Sequence, residues 1–115
     1  MGEYDKLYVS LRMTIMAEDD GALGKGVVTL LKGILEKGSL NQAAKSIGMA
    51  YSKAWRIVKE TEAGFGFLLI NRDGARGSTL TKEGKQLVEM YENLQKELED
   101  YANTRFKEEV SKLES

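Results

Sequence analysis

Between residues 25 and 62 the apolar side chains come in three short bursts at helical spacing, separated by glycines. No other feature of the chain restricts its fold as much. Val27, Val28, Leu31, Ile34 and Leu35 share one face of a helix expected over 25–37. Gly38 can take the left-handed conformation that closes it. Ser39 follows as an N-cap, with Gln42 three residues on, which is the pattern of a capping box. The second helix carries Leu40, Ala43, Ala44 and Ile47 on one face and ends at Gly48. The pattern restarts at Tyr51 and runs to about residue 62. Two short helices joined by a Gly-containing turn form a helix-turn-helix.

The flanks read differently. Leu7, Val9, Leu11, Met13 and Ile15 alternate with Tyr8, Ser10, Arg12, Thr14 and Met16, the period of a strand with one buried face. Glu18, Asp19, Asp20 and Gly21 then make a turn. After the third helix, Phe67–Ile70 and Ser78–Leu80 are short apolar runs on either side of a Gly-rich tip, the signature of a β-hairpin. From Thr81, a candidate cap, Leu87, Tyr91, Leu94, Leu98 and Tyr101 step by four and three residues. That is a heptad stripe on a helix of about thirty residues, longer than the usual 8–20 of a globular helix. A second copy of the chain is the natural cover, so these five residues are the expected dimerisation surface. Ala102, Phe106, Val110 and Leu113 continue the apolar positions on a shifted face. The expected fold is mainly α with a small β component: a winged helix-turn-helix. It comprises one domain over 1–115, with a leading strand and turn at 1–24, the helix-turn-helix and wing at 25–80, and a dimerisation helix at 81–115.

The third helix carries the candidate chemistry. On a helical wheel with Ser52 at zero, Arg56 falls at about 40°, Lys59 at about 340° and Lys53 at about 100°. Ala54, Val58, Thr61 and Tyr51 fall between about 180° and 260°. One face is therefore apolar and the opposite face is dominated by Lys and Arg. Ser52, Lys53 and Arg56 lie in the first two turns, where a recognition helix meets base edges in the major groove. Arg and Lys both suit the guanine acceptors. Tyr51 can reach a phosphate with its hydroxyl or bury its ring against the second helix. Arg72 and Arg76, in a hairpin rich in glycine, suit the DNA backbone or the minor groove. The expected DNA-binding residues are Tyr51, Ser52, Lys53, Arg56, Lys59, Arg72 and Arg76. Trp55, on the border of the two faces, reads as core. Lys25, Lys32, Lys37 and Lys45, taken singly, read as solvated side chains.

Charge supports this placement. The chain has 17 Lys+Arg and 18 Asp+Glu, for a net charge of −1. Yet residues 25–85 hold eleven basic and five acidic side chains, while 1–24 hold two and five and 86–115 hold four and eight. A basic middle between acidic ends points to an anionic partner.

Several classes drop out. The absence of Cys removes disulfides, thiol chemistry and Cys-based metal sites, and the absence of His removes the commonest general base and metal ligand. No pair of carboxylates, Tyr or Lys stands at a catalytic spacing, so no enzyme activity, metal or cofactor is expected. Gly21–Gly26 superficially suggests a phosphate loop, but Gly26 follows Lys25 where that motif needs Ser or Thr. No run approaches the roughly 18 apolar residues of a membrane span. The first residues are acidic rather than signal-like, and Lys6 stands where N-myristoylation needs Ser or Thr. A cytoplasmic location follows.

From Gly38 to Thr81 the chain resembles the DNA-binding domain of the molybdate-responsive transcriptional regulators, whose helix-turn-helix layout LysR-type regulators share. The matching residues are Gly38-Ser39-Leu40, Ala43-Ala44-Lys45, Gly48-Met49 and Tyr51-Ser52-Lys53-Ala54-Trp55, then Arg72, the loop 74–77, Leu80-Thr81 and Gly84. The resemblance implies a winged-helix dimer that binds an operator and controls transcription in a bacterial or archaeal cell. Ala50 departs from it, standing where that family has a capping Ser. The 115 residues contain no oxyanion-binding half, so molybdate binding is not carried over and the effector or partner protein stays unassigned. The expected function is thus sequence-specific binding of double-stranded DNA by a homodimer. The alternative is a winged-helix docking module that binds protein and not DNA.

Overall fold

The computed structural model describes residues 2–18, 21–72 and 77–114. Two short strands, β1 (Ile15–Met16) and β2 (Ala22–Leu23), precede three helices, α1 (Lys25–Lys37), α2 (Leu40–Ser46) and α3 (Tyr51–Phe65). The hairpin β3 (Ile70–Arg72) and β4 (Ser78–Leu80) follows, and then α4 (Lys82–Glu114), 33 residues long. β1 pairs antiparallel with β2, and β3 with β4 in the register Ile70↔Leu80, Asn71↔Thr79 and Arg72↔Ser78. The wing therefore begins at Ile70 rather than at Phe67.

The punctuation works as its chemistry requires. Gly38 closes α1 at φ 81°, and Ser39 Oγ accepts from the Gln42 N–H at 3.0 Å to start α2. Ala50 opens α3 with no side-chain cap. α3 runs to Phe65, three residues beyond the sequence expectation, and closes at Gly66 with φ 84°. Gly33 of α1 faces Ala43 so closely that a Cβ would stand 2.6 Å from the Ala43 methyl, which sets the α1–α2 approach. Of the glycines at 21, 24 and 26, Gly24 alone stands between β2 and α1, as the helix N-cap, while Gly21 precedes β2 and Gly26 lies in the first turn of α1.

The core is one cluster. Leu30, Leu31 and Ile34 of α1, Leu40, Ala43 and Ala44 of α2, and Ala54 and Val58 of α3 meet Leu69, Ile70 and Leu80 of the wing root and Val88 and Tyr91 of α4. Ile47, expected on the buried face of the second helix, caps α2 instead and is exposed, because the helix ends at Ser46.

The leading segment departs most from expectation. Only Ile15 and Met16 pair with another strand. Residues 9–13 lie instead against α4, whose side chains take the place of a neighbouring strand. Val9 N–H donates to Asn103 Oδ1 (2.7 Å), Leu11 N–H to Glu99 Oε2 (3.1 Å) and Met13 N–H to Gln95 Oε1 (3.0 Å). In return, Asn103 Nδ2 donates to the Val9 carbonyl, Gln95 Nε2 to that of Leu11 and the Tyr91 hydroxyl to that of Met13. Two residues of extended chain advance about 6.6 Å and four residues of helix about 6.0 Å, so the two ladders stay in step. The expected buried face is only partly kept: Val9, Met13 and Ile15 are half-buried, but Leu7 and Leu11 of the same face are exposed, because α4 side chains rather than an apolar layer lie beside the segment.

Candidate nucleic-acid interface

α3 is held by one face only. Ala54 and Val58 are fully buried, and Thr61 Oγ1 lies within hydrogen-bond distance of the Ala22 carbonyl (3.1 Å) and the Ile57 carbonyl (2.9 Å). This packing turns the opposite face outward. Ser52, Lys53 and Arg56 are all exposed there, in the first two turns. Arg56 lies 3.5 Å from Glu60, an exposed i,i+4 pair of the kind that costs little to open.

Two of the seven expected contact residues sit otherwise than the wheel suggests. Tyr51 is not on the buried face: it is 47 % exposed and opens onto a cleft of about 410 Å³ between Ser39 and Asn41 on one side and Ile70 and Ser78 on the other. The helix begins at Tyr51, so its side chain lies beyond the packed turns. Lys59 is turned inward. Its Nζ lies 2.9 Å from Glu62 Oε1 and 5.3 Å from the centre of the Trp55 ring, so its charge is engaged within the chain. Trp55 is half-buried and packs on the core.

The wing root lies beside α3 and is fixed on several sides. Ser78 N–H donates to the Gly38 carbonyl (3.1 Å), tying β4 to the turn between α1 and α2. Thr81 N–H donates to the Leu69 carbonyl (3.0 Å) and Thr81 Oγ1 to that of Leu68 (2.7 Å). Gly84, in the first turn of α4, approaches so closely that a Cβ would strike the Leu69 carbonyl oxygen. Arg72 ends β3 with its backbone opposite Ser78. Arg76 lies outside the described residues.

Glu62 was not among the sequence-based candidates. It is 5 % exposed, and its Oε2 accepts from the N–H groups of Leu69 (2.7 Å) and Ile70 (3.2 Å). The signal was present on the wheel. Glu62 falls at about 280°, between Val58 and Trp55, an acidic side chain on the packed face.

The stripe on α4 divides between two surroundings. Tyr91 is 4 % exposed and donates its hydroxyl to the Met13 carbonyl at 2.7 Å, so it belongs to the chain's own core rather than to a surface. Leu87 is half-buried against the same core. Leu94, Leu98 and Tyr101 are exposed, with Met90 beside them. The polar row Tyr91, Gln95, Glu99 and Asn103, spaced by four, had a legible period but no legible partner. Lys32 pairs with Glu92 at 2.6 Å, joining α1 to α4. Among the described residues no group of three or more His, Cys, Asp or Glu side chains is placed to hold a metal ion, and no helix is long and apolar enough to cross a membrane.

Comparison with known proteins agrees with this geometry. Over 71 residues the chain is 34 % identical to the DNA-binding transcriptional dual regulator ModE of Escherichia coli, covering 58 % of this chain and 27 % of ModE. It is 35 % identical over 71 residues to the HTH-type transcriptional regulator CrgA of Neisseria meningitidis, covering 62 % of this chain and 23 % of CrgA. The chain thus spans about a quarter of the length of these relatives. Among solved structures, the fold matches the CbnR DNA-binding domain of a complex with DNA (TM-score 0.59, 24 % identity, 74 % of this chain and 95 % of that one). It also matches VV2_1132, a LysR family transcriptional regulator (TM-score 0.54, 26 % identity, 64 % of this chain and 25 % of that one). The resemblance drawn from the sequence therefore holds, and so does the winged-helix fold. The profile of the lysR family of bacterial regulatory helix-turn-helix proteins matches residues 28–85, which is 58 of the 115 residues, and this chain belongs to that family.

Proposed function

We propose that this chain is a sequence-specific DNA-binding transcriptional regulator and not an enzyme. It binds double-stranded DNA as a homodimer, with α3 in the major groove and the wing on the backbone or in the minor groove. One observation carries the reading: α3 packs through Ala54, Val58 and Thr61 and leaves Ser52, Lys53 and Arg56 exposed in its first two turns. Tyr51 borders that surface, and Arg72 and Arg76 supply the wing's positive charge. Lys59 contributes to the field of this face, but its ion pair with Glu62 keeps it from acting as a direct reader. The dimer forms through the exposed part of the α4 stripe, Leu94, Leu98 and Tyr101, with Leu87 at its inner edge. Such a protein works where bacterial DNA is, in the cytoplasm.

The test is affinity for a DNA duplex across a salt series, read by fluorescence anisotropy. A dimer using both α3 and both wings neutralises roughly 6–10 phosphates, and log affinity falls with log salt by about 0.9 per phosphate. No binding at low salt would refute the reading and leave the docking module in its place. Repeating the series with Lys53→Ala plus Arg56→Ala asks whether α3 is the reader. Unchanged affinity there would move the interface elsewhere.

A further inference from the structure

Glu62 is the one charged side chain buried among the described residues, and all its partners lie at the junction of α3 and the wing. Its Oε2 accepts from Leu69 N–H at 2.7 Å and Ile70 N–H at 3.2 Å, and Ile70 is the first residue of β3. Its Oε1 faces Lys59 Nζ at 2.9 Å. Lys59 in turn lies over Trp55, four residues back along α3. On the far side of the same wing segment, Thr81 bonds the carbonyls of Leu68 and Leu69. Leu68–Ile70 is therefore pinned through its N–H groups by α3 and through its carbonyls by the start of α4.

We propose that Glu62 is a positioning residue for DNA recognition, fixing the wing to α3 so that both reach one duplex as a single rigid unit. This rests on the reading of α3 and the wing as DNA-contacting elements. The chemistry explains why a carboxylate stands there. Buried backbone N–H groups need acceptors, and an ionised acceptor makes shorter and stronger bonds than a neutral one. The negative charge needs a counter-ion when buried, and Lys59 supplies it from the preceding turn of the same helix. A lysine at the edge of the reading face is thus committed to holding the wing. Gln at position 62 would keep an acceptor for the N–H groups but turn an amide N–H₂ toward the Lys59 ammonium, donor against donor.

The experiment compares five forms of the whole chain on one duplex across a salt series: the unaltered protein, Glu62→Ala, Glu62→Gln, Arg72→Ala plus Arg76→Ala, and Glu62→Ala combined with both arginine changes. Amide exchange at Leu69 and Ile70 and the melting temperature are measured beside them. The wing-arginine variant is expected to bind more weakly, with a salt slope shallower by about 0.9 for each phosphate that the wing no longer neutralises. Glu62→Ala is expected to show the same fold-loss and the same shallower slope, with faster exchange at Leu69 and Ile70. Adding the arginine changes to Glu62→Ala should then cost nothing more, because the wing has already left its place. Glu62→Gln should fall between the unaltered protein and Glu62→Ala.

A merely structural glutamate would lower the melting temperature yet leave the slope of the folded protein unchanged and the losses additive. That result overturns the proposal. If Glu62→Ala does not fold, Glu62→Gln decides: affinity, slope and exchange equal to the unaltered protein refute a role for the charge. Collapse of affinity with Lys53→Ala plus Arg56→Ala, alongside an indifferent Glu62, would sink this inference and leave the DNA reading standing. Indifference to the α3 changes as well would sink both.

Discussion

α3 and α4 are both amphipathic, and they spend their apolar faces differently. α3 buries Ala54, Val58 and Thr61 within its own chain and turns Ser52, Lys53 and Arg56 to solvent. α4 buries Val88 and Tyr91 in the same core, then leaves Leu94, Leu98 and Tyr101 exposed farther along. The first helix is complete within one chain, because a charged face is stable in water until an anion arrives. The second is not, because a stripe of leucines gains free energy only when another apolar surface covers it. On the proposed reading, the two faces call for different partners: a polyanion for α3 and an apolar helix for α4.

The largest expected effect breaks the α3 side of that contrast. Lys53→Ala plus Arg56→Ala removes two side chains suited to base edges, and each good base contact contributes about 1–3 kcal/mol. DNA affinity should fall by roughly 100-fold or more by anisotropy, while light scattering still reports a dimer. Leu94→Asp plus Leu98→Asp breaks the α4 side. It places uncompensated charges in the proposed dimer interface and should give a monomer by light scattering. Helix content by circular dichroism should hold, since Leu94 is 40 % and Leu98 43 % exposed in the single chain.

Smaller changes sharpen the boundary between the buried and open parts of α4. Gly84→Ala drives a methyl group into the Leu69 carbonyl, a backbone atom with little room to yield. Denaturant unfolding should show a loss of about 1–3 kcal/mol, typical of overpacking. Tyr91→Phe removes the bond to the Met13 carbonyl and should cost about 1 kcal/mol of stability with no change in oligomeric state. A Tyr91→Phe protein that lost its dimer would return Tyr91 to the interface.

The smallest effect lies at the far end of α4. Arg105 first, then Lys112, hold the Glu109 carboxyl below its ordinary value of 4.5. A depressed folded value means that the contribution is present above pH 4.5 and is lost as the pH falls below it. Backbone chemical shifts over 105–112 should therefore lose helical character by a small margin as the pH falls below 4.5, given how exposed the pair is. Arg105→Ala should flatten that dependence.

Most of the fold was legible because its signals are local. Gly38, Ser39, Gln42 and Gly48 punctuate the helices through contacts spanning a few residues, and the structure keeps those boundaries within one or two positions. The exposed face of α3 was legible for the same reason: a wheel needs only the sequence. The misreadings share a different cause. The alternation at 7–16 announces an extended segment with two unlike faces, but not what lies beside it. Here the neighbour is a row of helix side chains more than 80 residues away in the chain, at Gln95, Glu99 and Asn103. Tyr91 looked like its heptad neighbours because a stripe records apolar character and not which apolar surface it meets.

The sequence by itself therefore determined the order of elements, the helix-turn-helix and the basic face of α3, since capping, turn chemistry and periodicity act within a few residues. Only the tertiary structure decided where the α4 stripe stops being core, why Lys59 turns toward Glu62, and that Glu62 ties that helix to the wing. Those outcomes depend on which backbone N–H groups and which apolar side chains are brought together from distant parts of the chain. No local pattern encodes that.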